Sequence, residues 1–89
     1  MQTMRGRVTG KVQGVSFRFF VQQQAESAHL NGYARNMADG SVEFLLQGDP
    51  AAIEHALVAI AKGPSAARVD SMQYEPLPDR TPVPGFSIL

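Results

Sequence analysis

The sequence predicts an α+β sandwich in which two helices pack on one face of an antiparallel-rich sheet. Three observations lead there. The spacing of apolar residues changes between a period of two and a period of three to four, in the order βαββαβ with a short strand to finish. Glycine, proline, asparagine and aspartate sit at most of the changes, where a chain must turn. Finally, 89 residues suffice for one hydrophobic core but not for two, so a single domain over residues 1–89 is expected.

In residues 4–12, Met4, Gly6, Val8, Gly10 and Val12 alternate with the polar Arg5, Arg7, Thr9 and Lys11, as in a strand with one buried face. From Phe17 the spacing changes. Phe17, Val21, Ala25 and Ala28, flanked by Phe20 and Leu30, recur at three- and four-residue intervals opposite Gln22, Gln23 and Glu26. This predicts an amphipathic helix of about three to four turns. Asn31-Gly32 is its expected stop, with glycine in the left-handed position that follows a last turn. A strand over 33–37, a turn at Ala38-Asp39-Gly40 and a return strand over 41–47 read as a hairpin, with Val42, Phe44 and Leu46 on one side.

Asp49-Pro50 opens a second helix as N-cap and first residue, Ile53, Ala56, Leu57 and Ile60 form its stripe, and Lys62-Gly63-Pro64 closes it. Residues 69–75 are a weaker strand in which Val69, Met72 and Tyr74 change parity, so a bulge or a late start is expected. Residues 76–85, with four prolines, read as an extended surface loop, and Phe86-Ser87-Ile88 as a short last strand. The order is that of the split βαβ, or ferredoxin-like, sandwich. In that topology the first two strands run parallel with the third between them, about 9 to 10 Å apart. Their ends, at residues 13–16 and at Arg35-Asn36, therefore share one edge.

Composition narrows the function classes. With no cysteine there is neither a disulfide nor thiolate chemistry, and zero formal net charge offers no broad field for nucleic acid or an acidic membrane. The first residues lack an apolar signal region and no apolar run approaches about 20 residues, so a soluble, cytoplasmic protein is expected.

The stretch GKVQGVSFR, residues 10–18, carries the chemistry. A strand ends, turns through Gln13, Gly14, Val15 and Ser16, and a helix opens with Phe17 and Arg18. The first amides of a helix have no intrahelical partner and carry the positive end of its dipole, so they attract anions. Gly14 lets the backbone bend tightly, and Arg18 adds a planar fork of donors suited to phosphate. An ordinary strand-to-helix turn with a surface arginine fits these residues equally well. Arg18 and Asn36 together include no nucleophile, strong base or metal ligand, so they suit a reaction that needs only positioning and charge stabilisation. Phosphoryl transfer from an activated donor, such as an acyl phosphate, is one.

GKVQGVSFR, followed by Ala25, Leu30, Gly32 and RNMADGSVE at residues 35–43, resembles the acylphosphatase family over nearly the whole chain. The resemblance implies that Gln13, Gly14, Val15, Ser16 and Phe17 cradle phosphate with backbone amides. It further implies that Arg18 binds the phosphate and Asn36 orients the hydrolytic water. It implies a small-molecule acyl phosphate as substrate, inorganic phosphate as product, and no cofactor, metal or phosphoenzyme. No nucleic-acid or membrane partner is expected, and the chain is expected to be a monomer. The neutral charge departs from the more basic composition expected of many relatives, and the sequence lacks extra residues after Ile88-Leu89 that some relatives carry.

Other residues have plainer readings. His29 and His55 belong to no ligand-spaced pair, Asp39-Gly40 is turn chemistry, Arg35 points to the face opposite Asn36, and Ser16 has no base partner. Two other functions compete. One is a module that binds an acyl or carbamoyl phosphate for a partner enzyme, as the N-terminal domain of certain hydrogenase maturation proteins resembles. The other is RNA binding on the open sheet face. That face is expected to present Arg5, Arg7, Thr9, Lys11, Ser41, Glu43, Leu45 and Gln47, with no aromatic stacking platform.

Overall fold

The computed structural model describes residues 1–78 and 82–89. Its elements in chain order are β1 (Gln2–Lys11), α1 (Phe17–Ser27), β2 (Asn31–Asn36), β3 (Val42–Gly48), α2 (Pro50–Lys62), β4 (Arg68–Leu77) and β5 (Phe86–Ile88). The strands form one sheet in the order β4-β1-β3-β2-β5. β3 is antiparallel to both β1 and β2, β4 is antiparallel to β1, and β5 joins β2 in parallel. β1 and β2 thus run the same way on either side of β3, as the split topology requires.

The alternation in β3 puts Val42, Phe44 and Leu46 into the layer between sheet and helices, where all three are fully buried. They cluster with Met4 and Val8 of β1, Phe17, Val21 and Ala25 of α1, and Ile53, Leu57 and Ile60 of α2. Burying each large apolar side chain is worth about 1.5–3 kcal/mol. α1 packs over β2, β3 and β5, while α2 packs over β1, β3 and β4.

α1 ends earlier than its spacing suggests. His29 takes the left-handed conformation (φ 58°), its N–H donates to Glu26 O (3.1 Å), and the N–H of Leu30 donates to Ala25 O (2.8 Å). These are the two bonds of a Schellman cap. The buried Leu30 supplies its apolar contact, and Asn31-Gly32 already belongs to β2.

The bulge is where parity placed it. Thr9 pairs with Ser71 but Gly10 with Val69, so Asp70 is the extra residue, and Val69, Met72 and Tyr74 all fall on the helix side. β4 continues through Pro76, which the sequence reading left in the loop. An edge strand tolerates a proline whose missing N–H faces outward.

Leu45 and Gln47 depart from their expected place on an open face: both are fully buried. β4 and β5 lie at opposite edges, so the connection between them must cross the sheet, four strand spacings or about 19 Å. Val83, from the described part of that connection, lies on the face without helices, where its N–H donates to Gln47 Oε1 (2.7 Å). The part of this proline-rich stretch at residues 79–81 lies outside the described residues.

Candidate active site

Beyond β1 the chain passes the buried Val12 and turns back toward α1. Gly14 (φ 75°) and Ser16 (φ 59°), both left-handed, make this turn. A Cβ built on Gly14 would meet nothing within 4 Å, so the glycine is required by its backbone and leaves open space beside it. Ser16 is the N-cap residue of α1, but its hydroxyl makes no cap bond. The first bond along the helix runs from Phe20 N–H to Ser16 O (3.0 Å). The amides of Phe17, Arg18 and Phe19 therefore have no acceptor inside the helix, and no acidic side chain in the first turn offsets the dipole.

Asn36 arrives from the other side of β3. It pairs with Val42, which pairs with Val8, and residues directly opposite across strands share a face. Since Val42 and Val8 are buried under the helices, the Asn36 side chain lies on the α1 side of the sheet. Arg18 and Asn36 line one cleft of ≈ 330 Å³ together with Gly14, Ser16 and Phe17, and Val12, Phe19 and Ile88 supply apolar wall.

A sequence profile described as Acylphosphatase matches residues 4–88. The chain belongs to the acylphosphatase family. It is 45% identical over 89 residues to the acylphosphatase of Rhodospirillum rubrum, covering 98% of this chain and 94% of that one. The crystal structure of the Bacillus subtilis acylphosphatase superposes with a TM-score of 0.96 at 34% identity, covering 100% of this chain and 99% of that one. HypF of T. kodakarensis is also similar, at 30% identity and a TM-score of 0.86, but the likeness spans 12% of that longer chain.

Not every expected residue faces the acylphosphatase-family cleft. Val15 is half-buried against the core, and Gln13 turns its side chain away to donate from Nε2 to Met37 O (2.8 Å) and Ser41 O (2.9 Å). Their contribution to a cradle is limited to backbone amides. Sequence reasoning also missed two parts of the wall. Phe19, 52% exposed, stands off the apolar stripe of α1, and an aromatic outside that stripe was the available sign. Ile88 is brought in by β5, which the β2 pairing places beside α1. This last strand is held by several bonds. Leu89 N–H donates to Ala34 O (2.9 Å), Gln22 Nε2 to Phe86 O (3.3 Å), and Arg18 Nη1 to Leu89 O (2.7 Å).

Arg35 lies on the opposite face, bonded to Glu43 (2.8 Å) with its guanidinium 5.7 Å from the Tyr33 ring centre. Asp39 is a turn residue. Its Oδ1 accepts from the Ser41 hydroxyl (2.6 Å) and amide (2.9 Å), which hold its carboxyl below the usual carboxylate range, and Arg7 adds a weaker pull from 3.3 Å. Among the described residues no group of three His, Asp or Glu side chains could hold a metal ion. A larger hollow of ≈ 390 Å³ lies between Arg5, Arg7, Glu43, Gln73 and Glu75. Its charges are matched in pairs such as Arg5–Glu75 (2.7 Å), so it offers no excess of donors to an anion. The smaller cleft does.

Proposed function

We propose that the chain cleaves the carboxyl-phosphate bond of acyl phosphates, with residues 13–18 holding the phosphate and Asn36 orienting the attacking water. Family membership makes it an acyl-phosphate hydrolase. One observation supports the division of roles: Arg18 and Asn36, carried by elements on either side of β3, line the same cleft at the start of α1.

The phosphate sits against the unpaired amides of the loop and first turn, with the Arg18 guanidinium on its oxygens. The Asn36 carboxamide both accepts from and donates to a water, so it can aim that water in line with the bond to be broken. The water oxygen bonds to phosphorus while the bond from phosphorus to the carboxyl oxygen breaks. A carboxylate leaves, and a phosphate oxygen takes the water's proton. No side chain bonds to phosphorus and no metal is needed, because the leaving group is already good. Phe19 and Ile88 stand where the acyl part of the substrate would leave the cleft. A monomer in the cytoplasm belongs to the same reading.

The test is turnover of an aryl acyl phosphate at neutral pH with a chelator present, comparing wild type with Asn36→Ala. The expected result is chelator-resistant activity that falls by about 10²-fold in the variant, with inorganic phosphate inhibiting both equally. A folded Asn36→Ala protein with normal turnover would remove Asn36 from the mechanism. The likeness to part of HypF, whose full-length crystal structure is in a phosphate- and nucleotide-bound form, favours a second reading, a domain that binds the phosphate without cleaving it. Phosphate binding without any turnover is the outcome that selects it.

A further inference from the structure

We infer that the Gln13 side chain is a positioning residue that locks the phosphate loop to the hairpin carrying Asn36, an inference that rests on the role proposed for Asn36. β3 begins at Val42, level with Val8 and Asn36, whereas β1 runs on to Lys11. Past that row β1 has no strand beside it on the β3 side. The Gln13 carboxamide fills the gap as a substitute rung. Both of its N–H donors are spent, one on Met37 O (2.8 Å) and one on Ser41 O (2.9 Å). Two carbonyl acceptors require the nitrogen, and not the oxygen, to point this way.

The two acceptors are the residues that close the hairpin. Met37 N–H donates to Ser41 O (2.8 Å), and Gly40 N–H donates to Met37 O (3.1 Å). Each carbonyl therefore accepts one bond from the turn and one from Gln13. Met37 directly follows Asn36, so fixing its carbonyl fixes the end of β2 from which the Asn36 carboxamide projects. Among the described residues, these two bonds are the direct hydrogen bonds between residues 13–16 and residues 37–41. Gln13 is absent from the cleft wall, so its side chain acts on the reaction by holding the hairpin end that carries Asn36 and not by touching substrate.

The consequence is a split between binding and turnover. Gln13→Met keeps the length of the side chain and removes both donors, and Gln13→Glu keeps its shape but sets a carboxylate against two carbonyls. Neither removes Arg18 or any loop amide. In either folded variant kcat for an aryl acyl phosphate is expected to fall about 10- to 100-fold, the scale of a misplaced reacting group, while inhibition by inorganic phosphate changes less than about threefold. The deciding measurement is the double-mutant cycle with Asn36→Ala. If Gln13 works through Asn36, adding Gln13→Met to Asn36→Ala costs nothing further in kcat. Two full, multiplicative losses would overturn the inference, as would a kcat left at the wild-type value in the Gln13 variant that folds. Full activity in Asn36→Ala alone would instead strike at the role of Asn36 and take the Gln13 inference with it.

Discussion

At the scale of single residues, Arg18 bonds Leu89 O and, in the function proposed above, also holds the phosphate, and this predicts how it fails. One nitrogen of the guanidinium holds Leu89 O at 2.7 Å, leaving the remaining donors of the fork for phosphate. An ammonium is a point charge that cannot span both partners. Arg18→Lys is therefore expected to lose about 10²-fold or more in kcat/KM and to fall within tenfold of Arg18→Ala. Steady-state kinetics that found most of the turnover retained would reduce Arg18 to a source of field. Asp39 makes a different prediction. Its folded-state pKa is lowered, chiefly by the Ser41 hydroxyl, so its contribution to stability is present above the unfolded value of about 3.9 and is lost as pH falls through the folded one. Thermal melts of wild type and Asp39→Asn should differ near pH 6, with a gap that shrinks as pH falls below the unfolded carboxylate value; a gap independent of pH would exclude this linkage. That Arg18 and Asn36 meet at one cleft was readable from topology, since the split βαβ brings the loop after β1 and the end of β2 to one edge. The Gln13 bonds were not, because they depend on where carbonyls of a distant hairpin come to lie.

At the scale of elements, the cap of α1 separates what the sequence could reveal from what it could not. The helix and its buried face followed from the spacing of Phe17, Val21 and Ala25. Its end did not, because the left-handed residue is a histidine where glycine is the usual sign, and Gly32 nearby offered a false stop. A left-handed non-glycine residue costs about 1–2 kcal/mol, partly offset by the extra freedom glycine has when unfolded. His29→Gly is expected to stabilise the fold by about 0.5–1 kcal/mol, or about 2–8 °C in Tm for a domain of this size. Because His29 is exposed and does not line the cleft, kcat should be unchanged. A lowered Tm would mean that the imidazole makes a contribution the cap geometry does not explain. The β4 bulge, by contrast, was legible, because an extra residue shifts parity in any strand with a buried face.

At the scale of the whole molecule, residues that local pattern placed outside are buried, and one of them, Gln47, accepts a bond from Val83 of the β4–β5 connection. Leu45 and Gln47 alternate with the core residues of β3 as solvent-facing positions would, and their burial depends on distant chain that local pattern does not reveal, such as Val83 at Gln47. The strand order sets a timetable. Thr3 pairs with Gln47 on one side and with Leu77 on the other, so β1 closes long loops before it gains a single rung. Chains dominated by such distant pairings refold in milliseconds to seconds, and stopped-flow circular dichroism should place this one there, not in the microsecond range of helical bundles. The cleft draws Gly14 from one end of the chain and Ile88 from the other. It cannot be assembled ahead of the sheet, so enzymatic activity should return at the rate of the backbone signal, with no earlier species able to turn over substrate.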